Sequence, residues 1–95
     1  MSWSLRFSSG VEKDLRRIDR PSAHFILESL EYFASTFGEL YEAELMKSGR
    51  VKALSGEWEG FCRLRLRSYR AIYRKYAKTL VILVVRVAHR KDVYR

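Results

Sequence analysis

The last third of this chain is almost without acid. From Phe61 to Arg95 the only carboxylate side chain is Asp92, set among eight Arg and three Lys, a net of +10. Nothing within that stretch balances the charge, so it calls for a polyanion or an acidic partner. Cysteine is as scarce. The single Cys62 excludes an internal disulfide and a cysteine-built zinc centre, and it reads as a small apolar strand residue. Histidine occurs only at His24 and His89, which makes neither a metal site nor a two-histidine ribonuclease convincing. His24 reads as a structural residue of a helix. No Ser-His-Asp set and no glycine-rich phosphate loop is present. The longest apolar run, Leu80 to Val85, is far too short to span a bilayer, and Met1 to Phe7 lacks the pattern of a signal peptide. A soluble, cytoplasmic protein without membrane contact, metal or cofactor is expected.

Ninety-five residues support one domain, residues 1–95, with one core. The hydrophobic fraction of 47%, rich in Tyr and Phe, argues against disorder despite the formal charge of +8. Trp3, Leu5 and Phe7 alternate with Ser2, Ser4 and Arg6, as in a first strand. Ser9 and Glu12 form a capping-box pattern, and Val11, Leu15 and Ile18 follow at helical spacing. Pro21 suits the first turn of a second helix, whose apolar stripe runs from Ala23 to Phe37 and stops at Gly38. The stretch 39–49 is compatible with a short helix or an ordered loop. Three strand-like runs close the chain, Phe61 to Arg67, Tyr69 to Tyr76 and Thr79 to Val87, joined at Arg67-Ser68 and Ala77-Lys78. Helices grouped before a meander predict an α+β domain, with two helices on one face of a mainly antiparallel four-stranded sheet. The other face is left for function.

Arg63, Arg65 and Arg67 alternate with Leu64 and Leu66. Alternate strand residues share a face, so guanidinium groups line one side of the sheet, a surface suited to nucleic acid.

The runs Val51-Lys52-Ala53-Leu54-Ser55-Gly56, Gly60-Phe61-Cys62-Arg63-Leu64-Arg65-Leu66 and Tyr69-Arg70-Ala71-Ile72-Tyr73 carry a pattern, as does the ending Val87-Ala88-His89-Arg90-Lys91-Asp92-Val93-Tyr94. Together they resemble the RelE branch of the RelE/ParE toxin superfamily. Its signature there is an apolar-Lys-x-Leu-x-Gly stretch, an Arg-Leu-Arg strand, a Tyr-Arg-apolar-apolar-Tyr strand and a closing His-Arg-x-x-x-Tyr. The motif match covers residues 51 to 94; the first half matches in pattern only. The chain departs from many relatives in having Arg67-Ser68 where they carry a Gly-Asp-type turn, and is expected to lack the further C-terminal helix that some relatives carry.

The resemblance implies the toxin of a type II toxin–antitoxin pair, a ribosome-dependent endoribonuclease that cuts mRNA in the A site by 2′-OH attack. It implies an acidic RelB-like antitoxin, and contact with operator DNA only through the antitoxin complex. By position it assigns Arg70, Arg90, Tyr94 and Arg65 to catalysis, with Arg63 and Arg65 on RNA phosphates. Arg67, Lys52 and Lys91 are expected to add phosphate contacts by charge alone, Arg67 mostly solvated or on RNA nonspecifically. Guanidinium forks suit phosphate oxygens. For proton transfer Tyr94 leads through the family pattern alone, although cations packed around a tyrosine would also favour its phenolate. His89 is second, on the near-neutral pKa of an ordinary imidazole. Tyr94 stacking on a base is an alternative, and Trp58 reads first as core or partner packing and second as a stacking ring. Two rival functions stand beside this one: a ParE-like toxin inhibiting DNA gyrase without nuclease action, and an inactive basic module binding antitoxin and operator DNA.

Overall fold

The N-terminal alternation becomes strand β1, Ser4–Phe7, in a computed structural model that describes residues 3–94. Ser2, read as part of this strand, lies outside the described residues. Helices α1 (Ser9–Arg16) and α2 (Arg20–Thr36) follow. Asp19 caps α2, its carboxylate accepting the Ser22 backbone N–H at 3.0 Å, with Pro21 in the first turn. The hydrogen bonds from Ser22 hold the Asp19 carboxyl below its ordinary range.

The expected Ser9–Glu12 capping box does not form. The N-cap of α1 is Ser8, whose hydroxyl donates to the Val85 carbonyl at 3.2 Å, while Glu12 pairs with Arg16 at 2.7 Å. Gly38, expected to stop the second helix, instead opens a third, α3, Glu39–Ser48. Burial decides that segment for helix: Glu42 and Leu45 point inward. Gly49 ends α3 at φ +82°, a left-handed conformation that glycine adopts without a Cβ penalty. No described helix is long and apolar enough to cross a membrane.

The α+β class stands, but the sheet has five strands, in the order β1-β5-β4-β3-β2. The added strand is β2, Val51–Ala53, too short for alternation to reveal it. Strands β2, β3 (Cys62–Leu66), β4 (Tyr69–Tyr76) and β5 (Val81–His89) run antiparallel in turn, and β1 joins β5 in parallel. Arg67-Ser68 is the two-residue β3–β4 connection, with Arg67 at φ +58°. The β4–β5 connection is longer than Ala77-Lys78; it runs over 77–80, with Leu80 at φ +53°.

All three helices pack on one side of the sheet. Val11, Ile26, Leu30, Phe33 and Leu45 share a single core with Leu64, Leu66, Tyr73, Ile82 and Val87. β5 carries a bulge. Tyr73 pairs with Val84 and Ile72 with Arg86, so Val85 is an extra residue. The bulge reverses the alternation. Val84 and Val87 both join the core, while Arg86 and Ala88 turn to the helix-free face.

Among the described residues one carboxylate is buried in the core. Glu42, 4% exposed, accepts a hydrogen bond from the Tyr73 hydroxyl at 2.7 Å and pairs with Lys75. Burial, then the Glu42 carboxylate, drives the Tyr73 phenol far above its ordinary pKa. Glu42→Leu removes the acceptor and strands a buried hydroxyl. A loss of about 1–3 kcal/mol is expected by urea denaturation, with a smaller loss for Glu42→Gln, whose amide oxygen still accepts. Equal stability of Glu42→Leu and the parent refutes this role.

Candidate nucleic-acid interface

Strand register builds the helix-free face in two rows. Lys52 pairs with Arg63, Arg63 with Ile72, and Ile72 with Arg86, across β2 to β5. In the adjacent row Arg65 pairs with Arg70, and Arg70 with Ala88. Two guanidinium groups directly opposite each other are unfavourable in a sheet. A fold that retains such a pair is keeping charge at a place where stability argues against it.

Arg70 is the centre of this charge. Its Nη1 donates to the carbonyls of Arg67 at 2.8 Å and Tyr69 at 2.9 Å, which fixes the side chain beside the hairpin turn. Partial burial, then the charges of Arg63, Arg65 and Arg90, make its guanidinium more acidic than an ordinary arginine; Tyr94 acts in the opposite sense. Arg63 is held by a bond from Nη2 to the Gly49 carbonyl at 2.6 Å. Its Nε and that of Arg86 are buried without a hydrogen-bond partner.

Residues 90–94 turn back onto this face. The Arg90 backbone N–H donates to the Ser68 carbonyl and that of Asp92 to the His89 carbonyl, each at 2.8 Å. Arg86 Nη2 reaches the Asp92 carbonyl at 3.1 Å. Val93 is buried, whereas Tyr94 is 52% exposed. Tyr94 lines an open cleft of about 580 Å³ with Lys52, Leu54, Glu57, Trp58 and Arg63. Cations, a phenol and an indole border a space large enough for a nucleotide. The arrangement can bind phosphates and stack a base.

The sequence-derived candidates divide accordingly. Lys52, Arg63, Arg65, Arg70, Arg90 and Tyr94 come together around this face, and Lys91 is exposed on the turn that carries Tyr94. Arg67 does not join them. The strand ends at Leu66, the positive φ of Arg67 breaks the alternation, and its guanidinium stacks 3.9 Å above the Phe25 ring of α2. His89 is also elsewhere. It stacks edge-on against Tyr69, a ring that packs on the helix-side core, and its Nδ1 accepts the Lys91 backbone N–H at 3.3 Å. His24 is exposed on α2 beside Glu28 rather than part of the core. Cys62 is half-buried, and burial raises its thiol pKa. Arg86 and Glu57 also border this face, and no sequence pattern marks them. Only the bulge puts Arg86 on this face, and no local motif announces it.

Residues 5–94 match the family model described as ParE toxin of type II toxin-antitoxin system, parDE. The chain belongs to the ParE toxin family. It is thus a type II toxin–antitoxin toxin of the RelE/ParE superfamily. Toxin RelG of Mycobacterium tuberculosis (strain ATCC 25618 / H37Rv) is 32% identical over 95 residues, spanning 100% of this toxin and 99% of the relative. Among solved structures, a chain of the toxin–antitoxin complex RelBE2 from Mycobacterium tuberculosis superposes with a TM-score of 0.70 at 27% identity, covering 95% of the toxin and 100% of that chain. The archaeal RelE–RelB complex from Pyrococcus horikoshii OT3 gives the same TM-score at 22% identity, over 98% and 100% of the two chains, a likeness of fold.

Proposed function

We propose that this toxin is a metal-independent endoribonuclease that cleaves mRNA in the ribosomal A site and so stops translation. The observation that carries the reading is the convergence of Arg63, Arg65, Arg90 and Tyr94 on Arg70. In the reaction the ribose 2′-oxygen forms a bond to the adjacent phosphorus while the bond from phosphorus to the 5′-oxygen breaks. The products are a 2′,3′-cyclic phosphate and a 5′-hydroxyl. One proton must leave the 2′-hydroxyl and one must reach the departing 5′-oxygen. Arg70 and Arg90 neutralise the pentacovalent phosphate, and Arg63, Arg65 and Lys52 hold flanking phosphates. Tyr94 carries the hydroxyl beside Arg70 and takes one of these two proton transfers, with solvent water taking the other. The position of His89 beside Tyr69 speaks against the imidazole.

The test is to mix purified toxin with ribosomes stalled on a defined mRNA and map new ends by primer extension. Cleavage within the A-site codon, leaving a 5′-hydroxyl, is expected. Intact mRNA under conditions that arrest growth overturns the reading. The ParE description of the matching family model favours a second one, inhibition of DNA gyrase. Pulse labelling after induction separates them: translation stops first in one case, DNA replication in the other.

A related chain solved within a toxin–antitoxin complex supports an antitoxin partner here. We infer a RelB-like chain whose acidic segment folds against the +10 C-terminal third, contacting operator DNA only as the complex. Attraction of this kind speeds encounter at low salt. Between about 20 and 500 mM salt the association rate should fall roughly 10-fold or more. A salt-independent rate in stopped flow, with the arginines still accessible in the complex, sinks this mode of binding.

A further inference from the structure

Ile72 has no solvent exposure, yet it belongs to the helix-free face and lies outside the main core. Something on that face must cover it. Three consecutive residues of the C-terminal turn cross the sheet there. Asp92 is tied at β5, where its carbonyl accepts Arg86. Tyr94 reaches the cleft of β2 and β3 beside Lys52 and Arg63. Val93 lies between them in the chain, and the strand between β5 and β3 is β4. Its residue in the row Lys52, Arg63, Ile72, Arg86 is Ile72. Val93 is itself 1% exposed and also outside the main core. Arg63 and Arg86 flank Ile72 with their Nε atoms buried, as expected of arginine stems laid along an apolar contact.

We propose that Val93 is a positioning residue: seated on Ile72, it anchors the C-terminal turn and holds Tyr94 and Arg90 beside Arg70. The inference rests on the nuclease reading and adds to it how the near-terminal tyrosine is aimed. A single buried valine, one peptide before Tyr94, converts an exposed turn into a fixed arm. The Arg86 bond to Asp92 is the second tether.

The experiment compares the parent with Val93→Ser, Val93→Ile and Arg86→Gln. Amide hydrogen exchange of residues 90–92 reports anchoring, and single-turnover mRNA cleavage reports positioning. For Val93→Ser we expect exchange in the turn to rise about 10-fold or more while β4 exchanges as in the parent. The cleavage rate should fall roughly 10- to 100-fold, the cost of about 1 Å of misplacement, with KM for programmed ribosomes nearly unchanged. Val93→Ile should restore both readings, and Arg86→Gln should loosen the turn even if Val93→Ser folds poorly. Parent-like exchange in both Val93→Ser and Arg86→Gln overturns the anchor. A loosened turn with an undiminished cleavage rate overturns the positioning role. Parent toxin that leaves mRNA intact defeats the nuclease reading instead, and the positioning role with it, while exchange still decides the anchor.

Discussion

Arg70→Ala is expected to fold as the parent does and to cleave ribosome-bound mRNA about 10²- to 10³-fold more slowly, the usual cost of one preorganised charge at a transition state. The fold should survive for two reasons. The guanidinium bonds the Arg67 and Tyr69 carbonyls beside an exposed turn, where water can replace it. Its removal also relieves the repulsion from Arg65 directly opposite. Arg70→Lys separates charge from shape: an ammonium keeps the field but not the planar fork, so an intermediate rate is expected. The decisive measurement is a single-turnover rate beside a thermal midpoint. A folded Arg70→Ala protein cutting at the parent rate removes Arg70 from the chemistry.

Tyr94→Phe carries the other large effect. If the hydroxyl moves a proton, its loss should slow cleavage about 10²- to 10⁴-fold, the span of general acid–base contributions. Stability should hardly change, because Tyr94 is half exposed and the anchoring side chain next to it is Val93. The phenylalanine ring still stacks, so the substitution isolates the hydroxyl. Binding to programmed ribosomes should therefore persist while the rate collapses. Full activity in Tyr94→Phe means that the ring stacks on a base and transfers nothing.

Much of the interface can be read from short-range pattern. Arg63, Arg65 and Arg70 lie on two strands whose alternation and two-residue turn are local properties, and register then makes them neighbours. The strand–helix–meander order followed from periodicity for the same reason. What escaped depends on single residues that break a period. Arg67 leaves its stripe because one positive φ follows the last strand residue. His89 and Arg86 exchange faces because Val85 is inserted as a bulge, and sequence alternation counts it as any other residue. Strand β2 is too short to have a period. Helix α3 hides its function in Glu42, a carboxylate that looks like surface until Tyr73, on a strand far along the chain, supplies its partner.

The order of the strands also sets when this protein can exist. β5 is hydrogen-bonded to both β1 and β4, and it comes last in the chain among the described strands. Ser8 and Val85, joined by a hydrogen bond, stand 77 residues apart. A nascent chain still holding residues 81–89 inside the ribosome has no partner for β1 and none for the outer edge of β4. Folding that waits on so distant a pairing is slow and all-or-none in character. The cationic face is thus assembled only once residues 81–89 are free to pair, however early the rest of the sheet is made.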